Sequence, residues 1–259
     1  MVQPTPIAGC LLRIWRGLTG YLIEPEDSAY ERVSVRHSAG VAAWADASVH
    51  SHLGSEEYYL VLQGRLWLLI EDALYTVGAG EMAMVKPGVP HAVAQGEGPI
   101  EHFGLRAPAP SDRNTLDPVP APLPLVADEA RRELRCDWGN RVPLQEARNQ
   151  NRWLFGRGAA RFLSSQLVLA YLDFPTEEAA NAGIGSRHNL HLHRESWEFY
   201  VVLQGTKTLQ LEGHWVTIQA GQMLEVPPGV RHALAGRQAP YRGFTFRVPL
   251  LGYDDKVEG

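Results

Sequence analysis

Residues 50–64 read HSHLGSEEYYLVLQG, and residues 191–205 read HLHRESWEFYVVLQG. Both give His-x-His, four spacers, Glu, six spacers and Gly. Downstream, GEMAMVKPGVPH (80–91) ends on His91 and GQMLEVPPGVRH (221–232) ends on His232. The second copy trails the first by a constant 141 positions, from His50 and His191 through Glu57 and Glu198 to His91 and His232. A fixed interval over that span means duplication with no net insertion or deletion, and it predicts two domains of one fold. Each copy supplies three imidazoles and one carboxylate, the donor types that a divalent metal site needs.

Alternate side chains of a strand share a face, so His50 pairs with His52 and His191 with His193 on one side. Glu57 and Glu198 follow a short turn and enter the next strand. Pro87-Gly88 and Pro228-Gly229 predict turns that deliver His91 and His232 from a different strand. These groups converge on one ion only if the sheet curls into a small closed barrel with the ligands facing inward. The predicted metal ligands are therefore His50, His52, Glu57 and His91 in one barrel, and His191, His193, Glu198 and His232 in the other. The expected cofactor is a divalent transition metal, up to one per barrel. Four N/O donors with two open octahedral positions suit Fe, Mn, Co or Ni, while Zn is more often tetrahedral; Fe or Mn is the first expectation, with Ni, Co and Zn as alternatives.

Segments 30–37, 57–62, 66–71, 166–173, 198–203 and 207–212 have strand-like composition, punctuated by glycines such as Gly64 and Gly205. The predicted fold class is all-β, two barrels in tandem. Residues 107–124 are proline-rich, and 127–135 (ADEARRELR) is the best helix candidate. The expected division is an N-terminal barrel over 1–112, a linker with a short helix over 113–150, and a C-terminal barrel over 151–259.

The chain of 259 residues is 45% hydrophobic and 20% charged, with net charge −5. It carries no basic stripe, which excludes nucleic acid as an expected partner. No apolar run approaches the roughly 20 residues of a membrane span, so no membrane association is expected. Two distant cysteines, Cys10 and Cys136, give no disulfide framework and fit a reducing cytoplasm. A homodimer through edge strands is compatible with such a fold.

The duplicated motifs resemble those of the cupin superfamily, and their tandem arrangement resembles a bicupin. The C-terminal copy fits the first cupin signature from Gly185 to Gly205, and the second from Gly221 through Pro227 and Gly229 to His232. Gly236 stands in place of that signature's final Asn. The N-terminal copy departs at Trp44, Lys86 and Gln95, none of them a ligand. The resemblance implies jelly-roll barrels of the double-stranded β-helix type, each with a metal near its mouth. It also implies dioxygenase, isomerase or decarboxylase chemistry on a small oxygenated, acidic or phenolic molecule. The alternative is a non-catalytic small-molecule sensor in which the metal anchors the ligand.

Beyond the ligands, Tyr59 and Tyr200 lie two residues past the metal carboxylates and are candidate catalytic groups. His188, on the approach to His191, is a third, because histidine titrates near neutrality. Glu177 or Glu178 stands in a small-residue loop over 175–186 and is a candidate lid carboxylate. Arg106 and Arg247 alternate with apolar residues and are expected to face outward. The more regular motif of the C-terminal barrel favours it as the active one.

Overall fold

The computed structural model describes residues 2–5, 7, 9–24, 26–27, 29–40, 49–71, 73–108, 112–115, 135–136, 139–143, 151–156, 162–182, 184, 190–251 and 255–258. Two compact units emerge, Leu18–Leu144 and Met1–Gly17 with Gln145–Gly259. Each is a strongly curled sheet built round two long strands, antiparallel throughout the described pairs except where Asn151–Gly156 meets Phe162–Leu163. In the first unit Glu56–Ile70 pairs with His91–Ala107 along almost its whole length. In the second, Trp197–Leu211 pairs with His232–Val248 in the same way. No helix among the described residues is long and apolar enough to cross a membrane.

Each expected pair of short strands (57–62 with 66–71, 198–203 with 207–212) is one strand that bends without breaking. The bends fall where the register slips, around Gln63 and Gln204. Gly64 and Gly205 sit at these bends with φ of 74° and 76°. A Cβ on Gly64 would lie 2.5 Å from the Pro99 carbonyl oxygen, and one on Gly205 would lie 2.4 Å from that of Gln238. Glycine here permits both the left-handed backbone and the close approach of the neighbouring strand. The bend turns a flat ribbon into a barrel wall and aims its first half at the metal ligands.

Both faces of these strands are buried. Tyr59, Val61, Leu66 and Leu68 fill the first barrel, while Tyr58, Leu60, Phe103 and Leu105 on the opposite face are also fully enclosed. In the second unit Tyr200, Val202 and Leu209 point inward, and Phe199 stacks on Phe246 at 4.5 Å on the other face. Burial of Phe103, Leu105 and Phe246 therefore does not mark the inner face.

The boundary between the units differs from the one expected at 112. Strand Leu11–Ile14 extends the C-terminal sheet by pairing with Gln222–Val226, and Val2–Pro4 pairs outside it. Arg13 donates to Glu225 at 2.9 Å, with both side chains buried. Residues 1–17 thus belong with the C-terminal half, because its sheet edge offers main-chain partners and a buried carboxylate for Arg13. Reciprocally, Gly139–Pro143, expected in the linker, pairs with Glu81–Val85 of the N-terminal sheet. The helix expected at 127–135 lies outside the described residues up to Arg135, which opens a short strand, Arg135–Cys136.

Candidate metal centres

His50–His52 is a short strand whose first residue pairs with His91, and His191 pairs with His232 likewise. The Pro-Gly turns lock this geometry: Gly88 N donates to the His52 carbonyl at 2.7 Å, and Gly229 N to that of His193 at 2.7 Å. In the first unit Nε2 of His91, His52 and His50 lie 2.8, 3.0 and 3.7 Å from Glu57 Oε2. In the second, Nε2 of His232, His193 and His191 lie 2.8, 3.2 and 3.8 Å from Glu198 Oε2. The four donor atoms of each set fall within 4.8 Å of one another. Adjacent ligands on an ion with bonds of about 2.1 Å are about 3 Å apart, so both sets fit a single divalent ion.

The other ring nitrogens fix the tautomers. Nδ1 of His91 donates to the Val89 carbonyl at 2.8 Å, and Nδ1 of His232 to that of Val230 at 2.9 Å. Each Nε2 then presents a lone pair to a carboxylate oxygen, an arrangement that repels unless a cation or proton sits between them. When protons take the ion's place, burial still acts to raise the Glu57 and Glu198 carboxyls, but hydrogen bonds from the protonated Nε2 atoms outweigh it and hold both well below the usual carboxylate range. Burial tends to lower His91, yet its contact with Glu57 leaves it raised.

Two further residues belong to the sites and escaped the sequence reading. Asp112 Oδ1 meets His52 Nδ1 at 3.2 Å, and its other oxygen accepts from Gly54 N and Ser55 N at 3.0 Å each. Asp255 Oδ2 lies 3.3 Å from His193 Nδ1, a charge contact with less regular alignment than a hydrogen bond. Each aspartate immediately precedes a short strand, Arg113–Thr115 or Lys256–Glu258, that pairs beside a His-x-His strand. With an ion bound, these would be carboxylate–histidine–metal arrangements, which orient the imidazole and raise its basicity. The available signal was Asp112-Arg113 against Asp255-Lys256, hidden because the interval there is 143 rather than 141.

Arg106 and Arg247 do not face outward. Each is the cross-strand neighbour of a metal carboxylate, Glu57 or Glu198, and shares its face. The Nε atoms of both are buried without a hydrogen-bond partner among the described residues. Arg247 Nη1 reaches His193 Nδ1 at 3.3 Å. The alternation argument failed because the apolar neighbours Leu105 and Phe246 are buried on the opposite face.

Tyr59 and Tyr200 do face the sites. Tyr59 is buried and lines the first cavity; burial and the neighbouring Glu198 push the Tyr200 hydroxyl well above its usual range. His188 lies outside the described residues. Glu177 and Glu178 are exposed on the helix Glu177–Asn181, which Thr176 caps and whose Ala180 is buried in the core. Asn181 exchanges hydrogen bonds of 2.9 and 2.7 Å with the Arg237 backbone, so this segment is a pinned helix rather than the expected loop.

The first unit opens into a cavity of about 420 Å³ that includes His50, His52, Glu57 and Tyr59 in its lining. Its strands present inward rows: Ser34, Arg106 and Glu57; then Arg36, Gly104 and Tyr59; then Ser38, His102 and Val61. The matching rows of the second unit carry Val168, Ala170 and Leu172 where the first has Ser34, Arg36 and Ser38. His102 corresponds to Gly243. Burial first, then Arg36 and His37, push His102 down to about 4, so its ring is neutral at neutral pH. Cys10 is buried, and burial with Glu225 and Glu212 pushes its thiol up to about 12, which makes it inert rather than nucleophilic.

Curled sheets, each with an inward three-His, one-Glu set, define a protein of two barrels with one candidate metal site apiece. The Cupin domain model matches residues 41–101 and 182–239, one segment in each half. Each half of the chain thus carries a Cupin domain, and the two stand in tandem as in a bicupin. Among solved structures it is similar to a variant of salicylate 1,2-dioxygenase from Pseudoaminobacter salicylatoxidans, with TM-score 0.61 and 10% identity over 95% of this chain and 85% of that one. A variant of Bacillus subtilis oxalate decarboxylase gives TM-score 0.55 and 14% identity over 96% and 74%. The Escherichia coli pirin YhhW in complex with nickel(II) gives 0.59 and 12% over 93% and 100%. Identities this low establish the shared fold. A search of curated proteins finds no significant sequence match.

Proposed function

We propose that this bicupin is a metal-dependent enzyme acting on a small organic carboxylate, with turnover in the N-terminal barrel. The observation that carries the reading is the cavity joining His50, His52 and Glu57 to Arg36, Arg106 and Arg113. Glu57 is the one acidic residue in that lining among the described residues. A divalent ion with one carboxylate and three guanidiniums leaves the cavity positive, which favours an anionic substrate. On this reading the active barrel is the N-terminal one, against the preference drawn from motif regularity.

The ion would supply Lewis acidity toward substrate oxygens or, as Fe(II), a partner for dioxygen. Arg106, adjacent to Glu57 and with a buried Nε that has no hydrogen-bond partner among the described residues, would hold a substrate carboxylate by charge-assisted hydrogen bonds. Arg36 and Arg113, exposed at the mouth, would draw anions in. Tyr59 would donate from its hydroxyl, and neutral His102 would orient the far end of the substrate. Decarboxylation and oxidative ring cleavage are both compatible with this donor set. The two similar enzymes named after oxalate and salicylate also act on small carboxylates.

Turnover of short dicarboxylates, hydroxy acids and hydroxybenzoates by Fe- and Mn-loaded protein, with and without oxygen, tests the reading. Arg106→Met is expected to lower kcat/KM by about 10²–10³-fold with metal content unchanged, the loss of a charged partner in a desolvated site. Binding with no turnover in any metal form would leave the sensor alternative. Absence of any carboxylate binding, or an unaffected Arg106→Met variant, would sink both.

A further inference from the structure

Lys207 and Arg237 are cross-strand neighbours in the C-terminal barrel and project to the same side. That side is the interior: Lys207 lies two residues from inward Leu209 and is 3% exposed. The corresponding neighbours in the N-terminal barrel are Leu66 and Gly96. The duplication thus provides an internal control. One copy of the same fold packs this position with a leucine opposite a glycine, and the other places two basic side chains there. Like charges directly opposite are destabilising, and burying an ammonium is costly unless it is paired.

The protein supplies little compensation. Lys207 Nζ sits 3.6 Å from the centroid of the Tyr200 ring and makes no hydrogen bond among the described residues. A cation–π contact offsets part of the lost hydration only. Arg237 stacks on Phe174 and Tyr241 at 5.2 and 5.4 Å, and its Nη1 donates to the Ala180 carbonyl. Its Nε is buried without a partner among the described residues. The carboxylate that acts on Lys207 is Glu198, which three imidazoles already engage. Burial first, then Arg237, push the Lys207 amine well below its ordinary range, a cost that a bound anion would relieve. Burial pushes the Tyr241 hydroxyl up to about 12, so it stays protonated beside Arg237.

We propose that the C-terminal barrel binds a small carboxylate between Lys207 and Arg237, next to its metal set and behind the Tyr200 ring. The surrounding wall is apolar (Leu172, Val202, Leu209 and Leu224), so recognition rests on the charged group of a short molecule. The two barrels would then share a ligand chemistry through different residues: Arg36 and Arg106 in the first, Lys207 and Arg237 in the second. This site rests on its own residues and does not depend on turnover in the first barrel.

The test is calorimetry and thermal unfolding of the metal-loaded full chain with acetate and succinate, against chloride at matched ionic strength. Arg106→Met removes the first-barrel contribution. In that background one carboxylate-binding event is expected to remain, and Lys207→Leu is expected to weaken it by about tenfold or more. Without carboxylate, Lys207→Leu should unfold at a higher temperature than its parent, because it installs the residue the other barrel carries. Lys207→Met serves the same comparison if the leucine variant does not fold. Carboxylate binding in the Arg106→Met background that survives both substitutions would overturn the proposal. So would an Arg106→Met protein that neither binds nor is stabilised by acetate or succinate. A loss of stability in both Lys207 variants without carboxylate would also overturn it, since the lysine would then be a structural part of the core.

Discussion

Asp112 contacts no metal position itself, yet it sets what His52 can do. It holds His52 Nδ1 while accepting two backbone amides and the Ser55 hydroxyl, and these bonds, opposed by burial, keep its carboxyl lowered. Asp112→Ala is expected to weaken metal binding at the first site by about 10–100-fold, measured by competition with a chelator, with the second site unchanged. Glu57 and His91 predict a pH signature. A carboxylate lowered in the folded state contributes stability above its unfolded value of about 4.3 and loses it as pH falls through the folded value. An imidazole raised in the folded state contributes below about 6.5 and loses its contribution as pH rises through the folded value. Chelated protein should therefore be most stable between about pH 4.5 and 6.5 and soften above it. Metal-loaded protein should gain stability across the same rise, because metal binding needs neutral imidazoles. Melting temperature against pH in the two forms checks the opposite slopes. All eight residues of the two clusters were legible in the sequence, since a candidate metal site demands particular atoms at particular spacing. Arg106 was misread because the expectation assumed that one face of its strand is solvated.

At the scale of elements, the bends at Gly64 and Gly205 matter most, because they make long strands into barrel walls. Gly64→Ala forces both a left-handed backbone and a clash with a carbonyl, and is expected to cost roughly 2–4 kcal/mol in denaturant unfolding. Gly88→Ala is the control. Its φ is 78°, but nothing lies within 4 Å of the added Cβ, so the cost should be about 1 kcal/mol. Equal costs would show that the close approach at Gly64 contributes nothing. In the sequence these glycines close each motif and suit either a tight turn or a close backbone approach; the structure has the close approach, and the sequence leaves the choice open because a bulge and a turn both call for positive φ. Strand Leu11–Ile14 was illegible for another reason. It lies outside the repeat, and four residues carry no periodic signal that names a partner sheet.

For the whole molecule, duplication has kept the metal set and let the linings diverge. Both units hold three His and one Glu with a supporting aspartate. Ser34, Arg36, Ser38 and His102 make one wall of the first barrel polar, while Lys207 and Arg237 charge a different wall of the second. The repeat made two barrels legible at once. Which wall is polar was not, because it depends on register between strands far apart in the chain. The central claim is that each unit closes on one divalent ion. Elemental mass spectrometry on untagged, metal-reconstituted protein, with stoichiometry per chain, tests it most directly. The account predicts close to two equivalents of Fe or Mn in the wild-type chain, and close to one in both His52→Ala and His193→Ala. No bound metal after reconstitution, or a content unchanged by both substitutions, would contradict it.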